Sequence, residues 1–256
     1  MMGLTSVLAF CCCLSLAFSE ECSPPVVNVF NGDDTGCCPL VSTKLDTISS
    51  QLSSIEARLS GPRFSDWEVV FRGNAGVASP NLLDLWKGAT TLNADVAEAK
   101  KVDGTFSAPY KSSLVENWGA LDIKKVKFAF YDDGEEVMTL IFNGVGSNKM
   151  NWFSRARLLQ TPYPDMLTSS FNKFAIDPSA GTCPQCRMWY ISKNHGGCPN
   201  DNGWVAVTGH QVCLWDRAQG DPAPRFLYSS TDGVINWQSE PPAKASVMAI
   251  SIQTGV

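Results

Sequence analysis

The densest run of side chains able to do chemistry is Asn194-His195-Gly196-Gly197-Cys198-Pro199-Asn200-Asp201-Asn202, followed by Gly203 and Trp204. Sugar hydroxyls need paired donors and acceptors, and an aromatic face covers the apolar side of the ring. The amides of Asn194, Asn200 and Asn202, the Asp201 carboxylate, the His195 imidazole and the Trp204 indole on one loop therefore suit carbohydrate. Asp201 and Asn202 also offer hard oxygens to calcium, although no cofactor is required. Asp132 and Asp133, in the acidic run Asp132-Asp133-Gly134-Glu135-Glu136, are its other candidate ligands. That run lacks the ligand spacing of an EF-hand, and a solvated hairpin tip is its simpler reading. Likewise, Gly, Asn, Asp and Pro build any tight surface loop, and Trp204 fits the start of a buried strand.

Four cysteines surround this loop: Cys183, Cys186, Cys198 and Cys213. The spacings Cys183-x2-Cys186, His195-x2-Cys198 and His210-x2-Cys213 carry the thiolates and imidazoles of a structural zinc site. An oxidising compartment reverses that reading, because four such cysteines become two disulfides, with three pairings open. Cys183-Pro184-Gln185-Cys186 has the CxxC form of redox proteins without the βαβ context that lowers a thiol pKa. No GxSxG, HExxH, P-loop or post-strand GxGxxG motif occurs, and the chain has two histidines. These features argue against an enzyme and leave His195 and His210 as the imidazoles a novel site would have to use.

The elements that must position these residues read mainly as β. Strand candidates run at Trp67–Phe71, Met188–Ser192, Trp204–Thr208, Arg225–Ser229, Val234–Trp237 and Ala245–Ile252. Val126, Phe128 and Phe130 alternate with Lys125, Lys127 and Ala129, and Asp132-Asp133-Gly134 supplies a tight turn before Val137–Phe142. That pattern predicts a hairpin. Residues 80–87 predict a short helix, and Asn151–Gln160 a helical turn stopped by Pro162 and Pro164. Short strands separated by Gly, Asn, Asp and Pro predict a β-sandwich-like or partly closed barrel head over 63–256, with minor helices. The tryptophans, spread through this head, are expected to anchor its core.

Ahead of the head, Val41, Leu45, Ile48, Leu52, Ile55 and Leu59 are spaced 4, 3, 4, 3, 4. This is a heptad seam with Leu at a and Val or Ile at d, and it predicts a short coiled-coil stalk over 41–60 ended by Gly61-Pro62. Serines at the outward positions are mediocre helix formers, so the helix needs partners, and the Leu/Ile choice leans toward trimers or tetramers. The tail 20–40 carries Cys22, Cys37 and Cys38, an odd set that cannot all pair inside one chain and so implies interchain disulfides. Residues 1–19 are uncharged, hold an apolar run from Val7 to Phe18 and end Ala17-Phe18-Ser19. They read as a signal peptide, too short for a membrane span. A net charge of −5 argues against nucleic acid.

Signal peptide, cysteine-bearing tail, short coil and disulfide-containing β head are similar in plan to secreted oligomeric recognition proteins, including lectins with collagen or coil stalks. The expectation is a secreted, extracellular, disulfide-linked homo-oligomer. It would gain avidity by presenting several heads to glycan or another surface ligand. A structural component of extracellular matrix, mucus or biomineral is the alternative reading.

Overall fold

A computed structural model describes residues 47–52, 66–178, 186–210, 213–217 and 222–255. The expected signal peptide, the cysteine-bearing tail, Cys183 and most of the expected stalk lie outside these residues. The chain divides into two units, Met1–Ser60 and Gly61–Val256. Within the first, residues 47–52 are helical, and Ile48 and Leu52 are each 54% exposed.

The second unit is built from two antiparallel sheets. One comprises β1 (Glu68–Asn74), β2 (Tyr110–Lys111), β3 (Ile123–Asp132), β4 (Glu135–Asn143), β5 (Leu158–Gln160) and β12 (Val247–Thr254), in the order β2-β1-β12-β3-β4-β5. The other comprises β6 (Lys173–Ala175), β7 (Met188–Asn194), β8 (Asn202–Thr208), β9 (Arg225–Tyr228) and β11 (Ala243–Ala245), in the order β11-β9-β8-β7-β6, with β10 (Ile235–Asn236) also paired to β8. The sheets stay separate, so the head is an open sandwich and the partly closed barrel is set aside.

Alternation along the strands decides which side chains fill the space between the sheets. On β3, Val126, Phe128 and Phe130 enter the main core, while Ala129 and Tyr131 join a smaller cluster on the outer face with Val247 and Ala249. The β3–β4 turn follows its sequence: Asp133 and Gly134 both have positive φ, at 48° and 83°. That is the backbone a two-residue hairpin turn demands, and glycine adopts it without a Cβ penalty. Trp86, Trp152, Trp189 and Trp204 are below 2% exposed and link with Phe71, Phe128, Phe142 and Phe153 into a continuous aromatic core. Each such indole buries some 150–250 Å², so at about 25 cal/mol/Å² its burial contributes roughly 4–6 kcal/mol before entropy is counted.

One helix braces this core. α1 (Leu82–Lys87) starts at Asn81, whose Oδ1 accepts from the Leu83 and Asp84 amides at 2.9 and 3.2 Å. Its other end is capped by a buried cation. Lys111 Nζ donates to Leu85 O at 2.8 Å, to Trp86 O at 3.2 Å and to Gly88 O, and pairs with Glu116 at 2.7 Å. Burial lowers the Lys111 pKa, and Glu116 works against that shift. At Asn151–Gln160 the expected helical turn is confined to a 3-10 turn at Arg155–Arg157, because Leu158–Gln160 leaves it to pair with β4 as β5.

Candidate functional site

The loop singled out by composition connects β7 to β8. It turns at Gly197, where φ is +98°, then makes a 3-10 turn over Cys198–Asn200. A second helical turn, α2 (Leu214–Arg217), begins directly after Cys213. The Cys198–Cys213 disulfide ties the two together, with Cα atoms 5.2 Å apart. It resolves part of the open pairing: Cys198 bonds Cys213, and Cys186 is disulfide-bonded as well. Cys198 and Cys213 therefore offer no thiolate to zinc.

Two of the three asparagine amides that suggested sugar contacts bond within the loop instead. Asn194 Nδ2 and Asn202 Nδ2 both donate to Asn200 O, at 3.1 and 2.8 Å. Asn236 Nδ2 donates to the preceding carbonyl, Pro199 O, at 3.1 Å. These bonds satisfy the carbonyls of the 3-10 turn and hold the loop in one shape. Asn200 itself is exposed, and its backbone N–H donates to Gly197 O at 2.8 Å.

Trp204 takes no part in the surface. It is fully buried, and its Nε1 donates to Asp165 Oδ1 at 2.8 Å, while Asp165 Oδ2 accepts from the Val234 amide at 2.9 Å. The expectation of an indole platform for a sugar ring at Trp204 is thus corrected: the residue is the third of β8, and its side chain enters the core.

Asp201 is also fully buried. Its Oδ1 lies 3.3 Å from His195 Nδ1, its Oδ2 lies 3.7 Å from Cys213 Sγ, and its carbonyl accepts from the Trp237 amide at 3.1 Å. The residue is thus buried among His195, Cys213 and Trp237, while Asn202 uses Nδ2 within the loop. Among the described residues no group of three or more His, Cys, Asp or Glu is placed to hold a metal ion. Asp132 and Asp133 are exposed at the hairpin turn, and the nearby Glu136 carboxylate is engaged by Tyr131 Oη and Lys127 Nζ, each at 3.0 Å.

His195 remains as the reactive group of the loop. Its ring stands edge-on to Tyr190 at 5.7 Å between centres, and its side chain is 34% exposed. The buried Asp201 carboxylate beside Nδ1 and the Tyr190 ring flank an imidazole that is one-third exposed, so the ring borders both the cluster beneath the loop and solvent. His210 lies elsewhere, beside a cavity of about 110 Å³ lined with Asn81 and Leu82.

Beneath the loop lies a satellite core that composition did not reveal. Arg187 pairs with Asp216 at 3.0 Å, its guanidinium covers the Trp215 ring at 4.3 Å, and Trp215 stacks on Trp237 at 5.4 Å. Asp216 Oδ2 also accepts from the Cys213 amide at 2.9 Å. Burial beside Asp201 holds the Tyr190 phenol well above its ordinary pKa, so it is a neutral member of this cluster. The aromatic and cysteine residues near 213–216 were the available signal; their union with Arg187 and Tyr190 needs the sheet.

Comparison with protein-family models, with characterised proteins and with solved structures finds no match to this chain.

Proposed function

We propose that the chain is a secreted, disulfide-linked homo-oligomer whose β-sandwich heads recognise an extracellular ligand, glycan first among them. The observation that carries this reading is the bare apolar pair in 47–52. Ile48 and Leu52, about one helical turn apart, are each 54% exposed. Both belong to the heptad series that runs from Val41 to Leu59, Ile48 at d and Leu52 at a. Burying such a side chain against a partner helix contributes about 1.5–3 kcal/mol, so the seam favours association once copies meet. Cys22, Cys37 and Cys38 would then lock the assembly.

The head supports recognition in a different way. The Cys198–Cys213 bridge fits an oxidising compartment, and with the loop-bonded amides it presents His195 and the exposed backbone of 196–200 on a rigid loop. A weak contact at each head becomes effective when several heads meet a surface of repeated ligands. Glycan-array binding by the intact chain, compared with a variant in which Cys22, Cys37 and Cys38 become serine, tests the proposal. Binding that falls with the loss of covalent linkage supports it. Failure to bind any glycan, or equal binding by the unlinked chain, refutes it.

A further inference from the structure

The inter-sheet core opens at one end into a cleft of about 300 Å³ lined by Val137, Tyr163, Tyr228, Ser230, Thr231 and Ala243. Both sheets contribute: Val137 lies on β4, Tyr228 on β9 and Ala243 on β11. Tyr228 packs edge-on against Phe130 at 6.1 Å between ring centres and remains part-exposed. Its hydroxyl makes no hydrogen bond among the described residues. Burial raises the phenol pKa, and the Asp132 carboxylate adds to the shift, so at neutral pH the group both donates and accepts.

The remaining polar groups are oriented as acceptors. Ser230 Oγ donates its proton to Pro241 O at 3.1 Å, which leaves its lone pairs for incoming hydroxyls, whereas Thr231 Oγ1 donates to Gly233 O at 3.4 Å, accepts from the Gly233 amide at 3.3 Å and lies 3.2 Å from Ser229 Oγ, which leaves it at most one lone pair. Tyr163 Oη donates to Ser229 O at 3.4 Å and so fixes that wall. No lining side chain is charged. An anion finds no cation here and meets Asp132, while a purely apolar ligand would strip water from the Tyr228 hydroxyl without replacing its hydrogen bonds.

We propose that this cleft holds one ring of a neutral saccharide, with Tyr228 as both apolar platform and hydrogen-bonding phenol and the Ser230 and Thr231 oxygens as acceptors. The volume is at the lower end of small-molecule sites and suits a single ring. The site is separate from the 194–202 loop, and it rests on the glycan reading above only for the class of ligand.

Methyl mannoside, methyl galactoside and N-acetylglucosamine, added singly to the isotope-labelled full chain and followed by NMR, test it, with N-acetylneuraminic acid as the anionic arm. At least one neutral sugar is expected to shift the amides of Val137 and Tyr228 through Thr231. Tyr228→Ala should weaken that sugar roughly tenfold, and Tyr228→Phe about fivefold by removing the phenol alone. Thr231→Val, at an exposed position, provides a second variant should Tyr228→Ala fail to fold. Shifts confined to the 194–202 loop, a response to the anionic sugar alone, affinity unchanged by both Tyr228→Phe and Thr231→Val, or no response to any sugar overturns the proposal. Cleft binding by a chain that proves monomeric would keep this site and remove the multivalent reading; a silent cleft in a stable oligomer would do the reverse.

Discussion

The stretch 47–52 and the head treat large apolar side chains in opposite ways. In the head, Trp86, Trp152, Trp189, Trp204, Trp215 and Trp237 are all below 2% exposed. Its exposed apolar residues, such as Val145, Leu159 and Leu214, come from separate segments, the ordinary condition of a protein surface. In 47–52 both large apolar residues are more than half exposed, and their spacing places them on one helical face. The difference teaches that the head buries its large apolar side chains in a core of its own, whereas Ile48 and Leu52 stand exposed on their helix. Head variants should therefore change stability without changing mass, and stalk variants should do the opposite.

The largest head effect is expected from Cys198→Ser with Cys213→Ser. The bridge closes a separation of 15 residues, and its loss should cost about 3 kcal/mol, read as a lower midpoint in chemical denaturation. Next comes Asp165→Ala, which leaves the buried Trp204 indole without its acceptor and should cost about 1–3 kcal/mol. A smaller effect belongs to Glu116. Its burial opposes ionisation, but Lys111 and Lys149 outweigh this and hold its pKa below the ordinary 4.5. A carboxyl depressed in the folded state contributes stability above its unfolded pKa and loses it as pH falls through the depressed value. Thermal melts should therefore show an acid-induced loss below about pH 4.5 that Glu116→Gln diminishes, by under about 1 kcal/mol because the Glu116 carboxylate itself stays part-exposed. Smallest of all on the head is Leu52→Asp: the melt should stay within about 0.5 kcal/mol of the parent while the assembly, once its interchain disulfides are reduced, separates into single chains by light scattering. A Leu52→Asp chain that kept its mass but melted early would break the contrast.

The sequence made much of this fold legible where a local pattern and a tertiary need coincide. Alternation through Val126, Phe128 and Phe130, with Asp133-Gly134 at the turn, defined the hairpin because its register is local. The short strands β2, β5, β6 and β11 were missed, since two or three residues carry no periodicity and form only against a neighbour already in place. At the loop, composition showed which polar groups are present but not how they are oriented. The amides of Asn194 and Asn202 serve the turn's own carbonyl, and Trp204 and Asp201 point inward. The cleft was invisible for another reason: Val137, Tyr163, Tyr228 and Thr231 come from distant stretches that only the sandwich brings together.

Sedimentation velocity of the native, unreduced protein, repeated after reduction, tests the self-association on which the multivalent account depends. The account predicts a trimer or tetramer held by interchain bonds before reductant is added. A single chain in both states would contradict it.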